Sequence, residues 1–276
     1  MMMLIIISGP HQPGIDIDVY LRPLVDDLKT LWSHGIDAYD GYKREPCTIR
    51  GLLFCTITDL PGGRSVSGQC KGEKECAHCL DDTETIWLNN SKKWVHVHHW
   101  HFLPKSHPYR NMKRQFDGTR EMENAPRNFD GEHEYDQVKD LPVAHGKKGK
   151  TTLGKRKQKK KNELPEPKQR WKKKSILWEL PYWPFLRVRH SIDAMHVKKN
   201  VCGSLFGTLM NDKHKTKDHE NARKDLEEFG IRPELRRDGT GGQLPASVIT
   251  LTVKVKKELC DFLRSVKVPF GYSSNI

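Results

Sequence analysis

The stretch TIRGLLFCTITDLPGG, residues 48–63, decides the fold. Thr48 to Thr58 is apolar and β-branched, which suits a strand. It runs into Asp59-Leu60-Pro61-Gly62-Gly63, which reads as a sharp turn. An acidic residue therefore stands at the C-terminal end of an apolar strand. Upstream, Met3 to Ile7 is a second apolar run, consistent with a central strand. Ser8-Gly9-Pro10 ends it, and Pro13-Gly14 makes a turn. Asp16 is placed to cap a helix in which Ile17, Leu21, Leu24, Leu28, Leu31 and Trp32 recur at helical spacing, with Gly35 closing it. Strand, helix, strand predicts a crossover and a parallel pair in an α/β sheet. Open α/β sheets place their chemistry at the carboxyl ends of strands. On the residues alone, Asp59 is either a catalytic carboxylate or a turn aspartate satisfying its own backbone.

Beyond the turn, residues 64–140 are loop-rich and concentrate Cys and His. Residues 141–174 are low-complexity and basic, with GKRKQKKK at the centre, and no core is expected there. Structure resumes at Ile176. Leu180-Pro181-Tyr182-Trp183-Pro184 reads as an extended aromatic stretch. Ser191 is placed to cap a helix from Ile192 to about Met210, with Met195, Cys202, Leu205, Phe206 and Leu209 facing inward. A further helix carries Ala222, Leu226 and Phe229 and stops at Gly230. The last carries Leu259, Phe262, Leu263 and Val266 before Pro269.

The chain has 276 residues and a net charge of +13. From Lys147 to Lys174 there are 14 Lys or Arg against 2 Glu, so twelve of those charges sit in one segment. Such a segment binds nucleic acid or serves as a nuclear address, or it is a solvated linker. Lys155, Arg156, Lys157, Lys159, Lys160 and Lys161 are its densest part. The opening MMMLIII lacks a basic region and a cleavage site, so it is not a secretory signal. It is far too short to span a bilayer. Seven cysteines without a secretory signal point to a reducing compartment, where Cys beside His suggests metal rather than disulfides.

Cys76-Ala77-His78-Cys79 is a Cys-x2-Cys pair, whose thiolates can share one tetrahedral metal from a tight turn. The run HVHHWHFLPKSHPYR supplies His96, His98, His99, His101 and His107. Zinc held by Cys76, Cys79 and two of these histidines is the preferred reading. Cys70 is a possible substitute ligand, and free buried thiols are the alternative. Asp193 and His196 stand three apart on one helix, so they share a face on which a carboxylate can orient an imidazole. A plain polar helix face is the alternative there.

Seven blocks then resemble, in order, the plant transposase family of CACTA (En/Spm-like) elements. They are SGPHQPGIDIDVYLRPLVDDLKTLW, GLLFCTITDLPGGRSVSGQCKGEKECAHC, HFLPKSHPYR, KKSILWELPYW, RHSIDAMHVKKNVCGSLFGTLM, KTKD and VKVPFGYSSNI. The resemblance implies an α/β, partial RNase H-like fold with a Cys/His-rich insertion and C-terminal helices. It implies three catalytic acids holding two Mg²⁺ or Mn²⁺ ions for cleavage and joining of transposon ends. Asp59 falls in the block that resembles the second acid. Asp193 and His196 match a supporting Asp-x2-His motif. Cys76, Cys79, His99 and His107 match recurring family positions, which favours structural Zn²⁺.

The implied partners are transposon-end DNA and an intact transposase or a second copy of the chain, without membrane, in the nucleus. The expected organisation is a strand-helix-strand unit over 1–63, a zinc-holding insertion over 64–140, a basic linker over 141–174 and a helical continuation over 175–276. The resemblance also places the first acid before Met1 and the third after Ile276. Lys198 stands where the family usually has an acid, and Trp100-His101 where it tends to have paired arginines. The sequence is therefore expected to be an internal piece of a degenerate copy, catalytically incomplete. A surviving non-catalytic, zinc-containing DNA-binding module is the other expectation.

Overall fold

A computed structural model describes residues 5–7, 9, 12–113, 116–127, 129–141, 170–236 and 244–267. Apolar spacing of three and four winds helix α1, Ile17–Ser33, and Gly35 ends it at φ +81°. Its inner stripe, Val25 and Leu28, is buried, and Leu21, Leu24 and Leu31 pack against the same core. The chain divides into two compact units. The first takes residues 1–86, 96–102 and 123–193, and the second takes 87–95, 103–122 and 194–276.

In the first unit the core is built largely from residues 171–183. Trp171, Ile176, Leu177, Trp178, Leu180, Tyr182 and Trp183 are all buried, together with Leu80 and Val138. This stretch is not extended, as its prolines suggested. It folds into two 3-10 turns, Ile176–Glu179 and Trp183–Phe185. The tight turns let aromatic side chains from adjacent positions face one interior. Helix α3, Gly131–Val138, packs on the second turn. Its first residue lies so close to Pro184 that an added Cβ would meet the Pro184 carbonyl at 2.1 Å.

The basic segment also reaches further into the core than its composition implied. Lys173 and Asp18 are fully buried and paired at 2.9 Å. Lys174 sits over the Tyr135 ring at 4.7 Å, and Arg170 pairs with Asp81. These three cations are occupied structurally. Lys155, Arg156, Lys157, Lys159, Lys160 and Lys161 lie outside the described residues.

The apolar run of residues 48–58 is not one strand. Its start belongs to β2 (Glu45–Ile49), antiparallel to β1 (Ile36–Asp40), with Ile36 opposite Ile49. Its end is β3 (Thr56–Thr58), and residues 50–55 between them belong to no strand. A parallel pair does form, but β3 pairs with β6 (His190–Ile192), in register Thr56↔His190 and Thr58↔Ile192. The expected central strand at Met3 to Ile7 is corrected where it is described. Ile5 to Ile7 form no strand, and Ile6 is 78% exposed. A strand without a neighbour leaves its backbone groups to water. Between the two sheets in sequence, β4 (Thr85–Leu88) and β5 (Lys93–His96) make a hairpin.

The second unit contains α4 (Ala194–Leu209), α5 (Glu220–Glu228) and α6 (Val253–Ser265). Helices were expected in all three places, but Ser191 is a strand residue rather than a cap. The inward face expected for α4 is also corrected. Met195 is 79% exposed, and Cys202, Leu205 and Phe206 are exposed too. The buried residues are Gly207 and Thr208, because the following turn folds back until Lys215 lies against Gly207. Asp225 of α5 accepts hydrogen bonds from the backbone and side chains of both Asn90 and Ser91, which fixes the loop after β4. Among the described residues no helix is long and apolar enough to cross a membrane.

Candidate functional site

Asp59 is the residue immediately after β3, and its geometry follows from the local sequence. Pro61 cannot continue a strand ladder but suits the first turn of a helix. The chain therefore enters α2, Leu60–Ser67, rather than an isolated turn. Asp59 caps that helix, its Oδ1 accepting from the Gly62 N–H at 2.7 Å. Gly62 has to be glycine, since a Cβ there would lie 2.8 Å from Asp59 Oδ1 and 3.3 Å from Thr58 Cβ. A carboxylate offers about four lone-pair sites. Capping thus orients Asp59 and leaves acceptor capacity on it.

Asp193 follows β6 as Asp59 follows β3. Because the strands are parallel and Thr58 stands opposite Ile192, both aspartates leave the sheet at the same end. The Asp193 N–H donates to the Thr58 carbonyl at 2.8 Å, which extends the ladder by one residue. The pairing joins residues more than 130 apart, with no local signal to announce it. Asp193 ends the first unit, whereas His196 lies in the first turn of α4 in the second.

His190 opens β6; by sequence it stands with Trp171, Tyr182, Trp183, Arg187 and Arg189 in a mix of cations and aromatics that would suit nucleic acid or pack a core. Its Nδ1 lies 2.7 Å from Thr56 Oγ1, and its ring meets Trp183 edge-on at 5.6 Å. Burial, with the Arg189 guanidinium beside it, lowers its pKa to about 4. It is therefore a neutral imidazole at physiological pH. Arg189 in turn pairs with buried Glu134, whose pKa burial raises in spite of that cation.

A cavity of about 330 Å³ opens beside Asp59 within the first unit. Asp59, Gln69, Cys76, Cys79, His96, His99, His101, Phe102 and His190 contribute to its lining. The Cys-x2-Cys turn is rigidly mounted. Leu80 at φ +44° is fully buried and anchors it, and Lys74 Nζ ties it to the Asp81 and Thr83 carbonyls at 3.0 and 2.6 Å. Arg64 pairs with Glu75 at its base. The Cys79 N–H points at Cys76 Sγ, 3.4 Å away. The Cys79 thiol, the backbone N–H groups of Cys79 and His78, and the charge of His96 bring Cys76 down to about 5, against the cost of burial. The Cys79 thiol is pushed up by the same pairing and by burial. One thiolate and one thiol thus share a proton.

The structure brings Cys76, Cys79 and His99 to one cavity. His107 belongs to the second unit, where its Nδ1 accepts from the Tyr109 N–H at 3.2 Å and caps a 3-10 turn. Among the described residues no three His, Cys, Asp or Glu side chains converge as a metal-holding group. Gln69 carried no sequence signal of its own and joins the cavity through folding alone.

A family profile described as transposase family tnp2 matches residues 1–141. The match takes in Asp59, Cys76, Cys79, His99 and His107 and stops before Asp193. No curated protein and no solved structure matches the chain.

Proposed function

The chain belongs to the transposase family tnp2, and we propose that it is the DNA-handling, Asp59-bearing part of a CACTA-type transposase. The carrying observation is the pair of aspartates at the same end of parallel β3 and β6. In an open α/β sheet, this is where ligands and reacting groups are received. An RNase H-like sheet is the fold in which we read that pair.

Two aspartates at one strand end suit Mg²⁺ or Mn²⁺, which are commonly held by one or two carboxylates and a substrate phosphate. Asp59 and Asp193 would hold the ion, the Gly62 N–H keeping the Asp59 carboxylate aimed. A bound ion would polarise the scissile phosphate and lower the pKa of the attacking water. Complete two-metal cleavage takes carboxylates from further elements. The proposal is therefore that this chain binds DNA without cutting it alone, and that an intact transposase or a second copy supplies what remains.

The thiol pair supports a structural Zn²⁺ reading. Cys76 already favours its thiolate, the form that ligates metal, and His96 and His99 line the same cavity. We propose that zinc binding draws these four together as ligands, in place of a set using His107. Purified chain should carry about one equivalent of zinc. His99→Ala should lose it and His107→Ala retain it; zinc-free, well-folded wild-type protein would remove the site.

Binding to short DNA, followed by fluorescence anisotropy, tests the central reading. Affinity should fall steeply with salt, because phosphate neutralisation releases counterions. Deleting residues 147–161 should remove most of it and also abolish nuclear import. Strand cleavage in Mg²⁺ by the lone chain, abolished by Asp59→Ala, would contradict the non-cutting part. Absence of DNA binding at low salt would contradict the whole.

A further inference from the structure

We propose that the cavity beside Asp59 is a pocket for one unstacked nucleobase of a bound DNA strand, an inference that rests on the DNA-binding reading above. Its volume, about 330 Å³, falls at the small end of ligand pockets, which run roughly 300–1,000 Å³. That is room for a base and its sugar and far too little for a duplex.

The lining chooses the chemistry. Gln69 is only 3% exposed, and its amide Nε2 has no hydrogen-bond partner among the described residues. Its Oε1, by contrast, accepts from Ser67 Oγ at 3.5 Å. A buried donor left unmade is costly, so a ligand acceptor that reaches Gln69 Nε2 would relieve that cost. Base edges carry such acceptors in their ring nitrogens and carbonyls.

Phe102 supplies an aromatic wall. Its ring stays 46% exposed and lies 4.6 Å from His101 and 6.4 Å from His78, centroid to centroid. A π-face of this kind accepts any base by stacking. The charge balance disfavours a phosphate. No lysine lines the cavity, its single arginine, Arg64, is paired with Glu75, and Asp59 stands in the wall. A neutral, planar, acceptor-bearing ligand fits where an anion does not. Beside a phosphodiester-cutting centre, drawing one base out of the stack would expose the adjoining backbone to Asp59.

The test uses the full chain and a dye-labelled single-stranded oligonucleotide carrying 5-iododeoxyuridine at successive positions. Anisotropy measures binding. Irradiation cross-links the substituted base to whatever it touches, and mass spectrometry maps the adduct. The adduct is expected on Phe102 or another cavity residue. Gln69→Leu keeps the shape and removes the donor, and should lower adduct yield roughly tenfold. Phe102→Ala changes a half-exposed ring without opening the core, and should lower it roughly fivefold or more. Overall affinity should change less than about twofold in both, since phosphate contacts dominate it. Binding with all adducts outside the cavity, or with yields unchanged in both variants, overturns the base pocket and leaves DNA binding intact. No binding at any salt overturns the DNA reading and this inference with it.

Discussion

Three cases show how differently this chain uses ionisable groups. Lys173 and Asp18 are wholly buried, so each offsets the other's desolvation. Lys173→Met strands the Asp18 carboxylate and should cost about 3–5 kcal/mol in urea unfolding. Adding Asp18→Asn should recover part of the loss; a single variant as stable as wild type would show the pair to be unimportant. Glu179 is a half-exposed case. Hydrogen bonds from Arg22 at 2.7 Å and Lys29 at 2.6 Å bring its carboxyl from 4.5 down to about 2. Its folded value lies below its unfolded one, so its stabilisation is present above pH 4.5 and is lost as pH falls toward 2. Glu179→Gln should flatten that acid limb, and salt should flatten it in the wild type. The third is Cys76. In zinc-free protein its alkylation rate should stay level from neutral pH upward, whereas a rate climbing with the ordinary thiol range would contradict a thiolate held at about 5.

At the scale of elements, close backbone approach sets the strongest constraint. Gly131→Ala drives a Cβ into the Pro184 carbonyl. Relief requires α3 to shift off the 3-10 turn at Trp183–Phe185, costing about 1–3 kcal/mol and measurable as a lower melting temperature; an unchanged midpoint would mean that α3 is not seated there. Helices were legible in the sequence from apolar spacing, as in α1, α5 and α6, although Asp16 makes no side-chain cap on α1. The strands were less so. Thr48 to Thr58 looked continuous because its apolar content does not show that residues 50–55 leave the ladder. The β1–β2 hairpin was missed; its turn is held by Asp40, whose Oδ1 accepts from the Tyr42 and Lys43 N–H groups at 2.9 and 3.1 Å. Residues 180–184 were misread because prolines terminate helices and permit 3-10 turns equally. Asp59 was legible as a strand-end acid. Its alignment with Asp193 and the place of His190 in the cavity wall were not, since both depend on β3 meeting β6, and Gln69 is placed by its bridge to Trp171.

Across the whole molecule, apolar exposure is high on both short strands and their flanks. Ile49, Phe54 and Ile57 are each more than half exposed, beside edges that lack neighbours among the described residues. Open, apolar edges invite association. Phe54→Lys should raise the soluble fraction without altering the fold, and an unchanged soluble fraction would place association elsewhere. The proposed ion site requires Asp59 and Asp193 to act together at the end of one parallel pair. Titration of the full chain with Mn²⁺, followed by electron paramagnetic resonance of the free ion, measures that directly. The expected result is one weak site whose affinity falls roughly tenfold or more in Asp59→Asn and in Asp193→Asn, with the circular dichroism spectrum retained. Mn²⁺ binding that ignores both substitutions, or no binding at all, would contradict it.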